Sequence, residues 1–153
     1  MVNKKILIAD DNQMNRELLG DVLERFQPLG VEVLYAINGV QTWELVQKEK
    51  PMMLFLDLMM PDLSGYEVTR KIKGDETLKS THIIVVSART QQEDGNQSQE
   101  AGADDYINKP YDIRLIRQKV KEFLEAMDAS PEGEEAKHPE AKAKKSKKST
   151  AKD

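Results

Sequence analysis

Two spacings of apolar residues alternate along the chain. Short unbroken runs such as Ile6-Leu7-Ile8-Ala9 read as buried strands, because both faces of such a segment must be covered. Between the runs, apolar side chains recur every three or four residues, as an amphipathic helix requires. Met14, Leu18, Leu19, Val22, Leu23 and Phe26 predict a first helix, stopped by Gln27-Pro28-Leu29-Gly30. A second strand is expected over Val31–Ala36. After it comes a helix capped by Asn38 that runs to about Lys48, with Val40, Trp43 and Val46 facing inward. Pro51 ends that helix before a third strand, Met52–Asp57. A loop leads to a short helix over Gly65–Lys73, a fourth strand over His82–Ser87 and a fifth over Asp105–Asn108. Gln91–Glu100 has no large apolar residue and carries Gly95, so any helix there is loosely held. Ile113, Ile116, Val120, Phe123, Leu124 and Met127 pattern a well-formed final helix.

Five β/α repeats with short connections predict an α/β fold: a parallel sheet, doubly wound, with helices on both faces. Right-handed crossovers leave few topologies for it. The pattern stops near Ala129. Residues 1–128 are expected to form the folded domain and residues 129–153 a disordered, Lys-rich tail, since nothing after Met127 offers a large aliphatic or aromatic side chain.

Charge sharpens that division. Residues 1–128 hold 16 Lys+Arg against 22 Asp+Glu, whereas residues 129–153 hold 7 against 5. The body is therefore a poor binder of nucleic acid, and the tail is the only basic stretch able to meet an anionic partner. The absence of cysteine excludes a disulfide framework and zinc–thiolate sites. No apolar run is long enough to span a bilayer or act as a signal peptide, so a cytoplasmic location is expected.

The chemistry gathers at strand ends. Asp57 closes the apolar run Met52-Met53-Leu54-Phe55-Leu56, and Asp10-Asp11 follow the first strand. If those strands are neighbours, three carboxylates meet at one sheet edge and need a divalent cation or protonation to persist. A lone Asp at such a place is more often a helix cap. Three acids at two strand ends point instead to a site. Met59, Met60 and the Met52-Met53 pair read as packing residues, and His82 and His138 show no pattern of ligation or catalysis.

Asp10-Asp11, Asp57 with Met60-Pro61 and Gly65, Ser87-Ala88, Ala101-Gly102-Ala103-Asp104-Asp105-Tyr106 and Lys109-Pro110 together resemble the receiver domain of bacterial two-component response regulators. The match runs from about residue 4 to 127, in the family's order and spacing. The resemblance implies a flavodoxin-like sheet of strand order 2-1-3-4-5. It implies that Asp57 is the phosphorylated nucleophile and that Asp10, Asp11, Asp57 and the backbone carbonyl of Met59 hold Mg²⁺. Lys109 would pair with a phosphoryl oxygen, aimed by a cis Pro110. Ser87 and Tyr106 would form the switch, moving the face around the fourth helix, fifth strand and fifth helix. Met59 and Arg89 would tune the lifetime of the phosphoryl group.

The function so implied is that of a phosphoacceptor in a His–Asp phosphorelay, not an enzyme acting on a separate substrate. Its donor is a sensor histidine kinase or phosphotransfer protein, and its output is a downstream protein target. The resemblance suggests a monomer or a weak, phosphorylation-linked dimer. The alternative is a regulator bound to nucleic acid or an anionic surface, with the Lys-rich tail giving the output.

Overall fold

In the computed structural model, which describes residues 3–89, 92 and 96–129, the apolar runs form five strands. They are β1 (Lys5–Ala9), β2 (Glu32–Ala36), β3 (Met53–Leu56), β4 (His82–Ser87) and β5 (Asp105–Asn108). Described helices are α1 (Gln13–Glu24), α2 (Gly39–Glu49), α3 (Gly65–Lys73), α4 (Gln97–Ala101) and α5 (Ile113–Ala129), with a 3-10 turn at Gln27–Leu29. Residues 3–113 group as one compact unit. The second unit begins at Arg114, and residues 114–129 of α5 are its described part. The Lys-rich tail beyond residue 129, with His138, lies outside the described residues, as does part of the Gln91–Glu100 segment.

All four strand pairings are parallel and give the order β2-β1-β3-β4-β5, the predicted flavodoxin-like arrangement. The register sets Leu7 beside Leu34 and Leu54, and Leu54 beside Ile83, so like side chains line up on one face. Leu7, Ala9, Leu54, Leu56, Ile83 and Val85 join Val46 of α2 and Val68 and Ile72 of α3 in one core. The alternate residues Ile6, Ile8, Met53 and Phe55 are also buried, on the face that α1 shares. Covering both faces is what the unbroken apolar runs demand. In α5, Ile116, Val120, Phe123 and Leu124 are buried, at the spacing the sequence predicts.

Several inward-facing assignments need correction. Met14 and Leu18 are exposed, because Leu19 and Leu23 centre the buried arc of α1; both lie roughly 100° or more around the helix from Leu19. Gly20 fixes that rotation, since a Cβ there would run into the ring of Tyr35 on β2. Val40 is likewise exposed: the inner face of α2 is Gly39, Thr42 and Val46, with the Thr42 hydroxyl donating to the Asn38 carbonyl at 2.7 Å. Trp43 is half-buried, with the Lys71 ammonium 5.3 Å from its ring centre. Met53 and Met60 pack inside as expected, but Met59 is 61% exposed and is not a packing residue.

Candidate functional site

The adjacency of β1 and β3 places the acids. The Asp57 amide donates to the Ala9 carbonyl at 2.9 Å, and the Asp10 amide to Ala36 at 3.1 Å, so both carboxylates leave neighbouring strand ends on one edge. Oxygen atoms of Asp10, Asp11 and Asp57 lie within 4.8 Å of one another. Asp10 and Asp57 are buried and Asp11 is exposed. Lys109 reaches them from the end of β5, its Nζ 3.0 Å from Asp10 Oδ2 and 3.9 Å from Asp57 Oδ2. The Lys109–Pro110 bond is cis. Asp10, Asp57 and Lys109 line a small cleft, partly open to solvent, together with Asn15, Phe55 and Tyr111.

Local hydrogen bonds hold the acids in place. Asp10 Oδ1 accepts the Asn12 amide at 2.9 Å, and its main-chain carbonyl accepts the Arg16 guanidinium at 2.8 Å. Asp57 Oδ1 accepts the Met59 amide at 3.1 Å. Burial nonetheless pushes the Asp57 carboxyl up to about 6. The Met59 amide and Lys109 oppose that rise, while Asp10 and Asp11 add to it. Three carboxylates against one ammonium leave an excess of about two negative charges. The donor set is hard oxygen only, so the residues fit a small divalent cation.

The raised Asp57 value makes stability depend on pH. The folded protein holds this proton more tightly than the unfolded chain, whose ordinary value is 3.8. Ionisation of Asp57 therefore costs nothing below about pH 4, and the cost grows from there to about pH 6 and is full above it. The shift corresponds to roughly 3 kcal/mol; screening in the open cleft should reduce this to about 1–2 kcal/mol. Asp57→Asn is accordingly expected to stabilise the divalent-free protein by that amount at pH 7.5, and by nothing at pH 4. Urea denaturation at the two pH values checks this, and an equal difference at both would count against it.

Beside the acids, Ser87 ends β4 fully buried, its Oγ accepting the Arg89 amide at 3.1 Å. The Lys109 amide donates to the Ser87 carbonyl at 2.8 Å, which ties the ends of β4 and β5 together. Half-buried Tyr106 donates its hydroxyl to the Arg89 carbonyl at 2.7 Å, and Asn108 Nδ2 donates to that same oxygen at 2.7 Å. Tyr106 sits within β5 opposite Val85, while Asp10, Asp11, Asp57, Ser87 and Lys109 stand at one end of the sheet. Met59 is exposed and Arg89 half-buried on the two loops beside it. His82 Nδ1 is 4.0 Å from Asp104.

Sequence reasoning overlooked three residues. Asn15 and Tyr111 line the cleft but carry no motif of their own. Asp62 accepts amides from a different segment of chain. Its signal was indirect: α2 has no acidic residue in its first turn, so an anion from elsewhere is favoured there.

Comparison with known proteins agrees with the geometry. The family model "Response regulator receiver domain" matches residues 6–121. The phosphate regulon transcriptional regulatory protein PhoB of Pseudomonas aeruginosa is 38% identical over 124 residues, covering 81% of this chain and 53% of PhoB. The chain thus spans about half the length of that relative. The polar-differentiation response regulator DivK of Brucella anthropi is 29% identical over 121 residues, covering 79% of this chain and 96% of DivK. Among solved structures, the receiver domain of sensor histidine kinase PA1611 from Pseudomonas aeruginosa has a magnesium ion coordinated in its active-site cleft. It aligns with a TM-score of 0.68 at 25% identity, covering 78% of this chain and 96% of that one. With the strand order, the acidic edge and a profile match over most of its length in agreement, the chain belongs to the response regulator receiver domain family.

Proposed function

We propose that this chain is a phosphoacceptor switch in a two-component relay, with Asp57 as the residue that carries the phosphoryl group. The observation that carries the reading is Lys109 within reach of both Asp10 and Asp57, in a cluster of three carboxylates. An Asp57 carboxylate oxygen forms a bond to phosphorus as the donor's P–N or P–O bond breaks, giving an aspartyl phosphate. Asp10, Asp11, Asp57 and the Met59 carbonyl would hold Mg²⁺, which when bound neutralises phosphoryl oxygens. Lys109 supplies the remaining fixed positive charge.

Ser87 and Tyr106 would report the new group. The Ser87 hydroxyl would leave the Arg89 amide for a phosphoryl oxygen. Because Tyr106 already bonds the Arg89 carbonyl, that shift would change the surface made by β5 and its neighbours. The donor is taken to be a sensor histidine kinase or phosphotransfer protein, and the receiver is a domain of about residues 1–128 working in the cytoplasm on a protein target. No helix among the described residues is long and apolar enough to cross a membrane. The test is incubation of the full chain with acetyl phosphate, with and without Mg²⁺. Gain of one phosphoryl group by intact mass, only with Mg²⁺, is expected; no gain under either condition would overturn the reading.

A further inference from the structure

We propose that Asp62 is a positioning residue for the acidic site, acting by pinning the loop of residues 59–64 to the N-terminus of α2. Asp62 Oδ1 accepts the Gly39 amide at 2.8 Å and the Leu63 amide at 2.7 Å, and Oδ2 accepts the Val40 amide at 3.1 Å. Asn38 Oδ1 takes the Gln41 amide at 2.8 Å, and the Thr42 amide bonds the Asn38 carbonyl at 3.0 Å. The open amides of the first turn are thus shared between two caps, one from the helix's own chain and one from more than 20 residues away. Gly39 makes the approach possible, since a Cβ there would collide with the Leu63 carbonyl oxygen.

The loop has a second anchor at its root. The Gly65 amide donates to the Leu58 carbonyl at 3.1 Å, and a Cβ on Gly65 would stand 2.8 Å from Leu58 Cα and 2.9 Å from the Asp57 carbonyl oxygen. Between root and pin runs the segment that begins with Met59, whose amide bonds Asp57 Oδ1. Asp62 is exposed, and its carboxylate bonds the amides of Gly39, Val40 and Leu63 rather than any of the three acids. What it does is fix the far end of the segment whose near end faces Asp57. Groups hydrogen-bonded to a metal's ligands commonly matter tenfold or more for affinity, and Asp62 would act on the Met59 end of the loop through the chain, with that figure as its upper bound.

The inference rests on the proposed Mg²⁺ site, so the test separates the two. Mg²⁺ is titrated calorimetrically into the full chain as wild type, Asp62→Ala and Asn38→Ala. Both variants lose a cap of the same helix, and only the first loses the pin. Asp62→Ala should raise the Mg²⁺ Kd about tenfold, while Asn38→Ala should leave it within about twofold of wild type. Wild-type affinity in folded Asp62→Ala, or an equal loss in Asn38→Ala, would overturn the pin and leave only helix stability. If Asp62→Ala does not fold, Asp62→Asn keeps one acceptor oxygen and should raise Kd by roughly threefold, about half the tenfold effect on a logarithmic scale; no change there would overturn the pin equally. A wild-type chain that takes up no Mg²⁺ overturns the underlying site instead.

Discussion

Asp57→Asn is expected to abolish uptake of a phosphoryl group from acetyl phosphate in the presence of Mg²⁺. The amide is close to the carboxylate in shape, so the strand end, the Met59 amide contact and Lys109 should stay where they are. What disappears is the anionic oxygen that attacks phosphorus. A neutral amide oxygen is so much weaker a nucleophile that a loss of at least about a thousandfold is expected, roughly 4 kcal/mol in the barrier. Intact mass after incubation measures it directly. Asp11→Ala is the informative contrast, because Asp11 is the exposed member of the cluster. Its removal should chiefly weaken Mg²⁺ binding and leave phosphorylation recoverable at high Mg²⁺. Undiminished labelling of Asp57→Asn would place the acceptor elsewhere.

The double substitution Met59→Asn, Arg89→Glu is expected to shorten the life of the aspartyl phosphate by about tenfold or more, if each change lowers the barrier by roughly 1 kcal/mol. Met59 follows Asp57 by two positions, bonds its carboxylate through the main chain, and has an exposed side chain. A thioether donates no proton and is a poor partner for water, so under the proposed function it would screen the phosphoryl group rather than help hydrolyse it. Arg89, two positions after Ser87, cannot accept a proton from water. Asparagine and glutamate supply the missing donor and acceptor, and positioned water is what hydrolysis lacks here. Decay of the labelled protein after rapid removal of the donor gives the lifetimes. An equal or longer lifetime in the double variant would defeat this account.

The strands were legible because a sheet covered on both faces needs unbroken apolar runs, and β1 and β3 have little else. Asp10, Asp11 and Asp57 stood out for the same reason: a charge ending such a run is costly unless it is used. Helix rotation was harder to read. Periodicity shows that α1 has an apolar side, but Met14 and Leu18 extend that side beyond the buried arc. Burial of Leu19, Val22 and Leu23, with Gly20 close against Tyr35, decides which part is covered. Met59 was misjudged because a methionine among apolar neighbours looks internal, whereas here the strand has already ended. Asp62 was passed over because an acid in a polar loop has an ordinary explanation. Its partners lie on α2, and nothing local in the sequence connects the two segments.

Lys109 stands in two relations at once. It is the amine suited to meet a phosphoryl oxygen, yet at 3.0 Å from Asp10 it is already that acid's counter-ion. A divalent cation entering the cluster would meet Asp10 Oδ2 already paired with this ammonium, so under the proposed function the lysine would be a rival at the loading step and an ally at the transfer step. Lys109→Ala should therefore bind Mg²⁺ more tightly than wild type, by a few-fold at about 1 kcal/mol of relieved competition, while transferring phosphate more slowly. Calorimetric Kd values that are unchanged or weaker in this variant would show that the two charges do not contend. If they do, the affinity of the resting site for its cation is held below its maximum by the very residue proposed to assist the transfer.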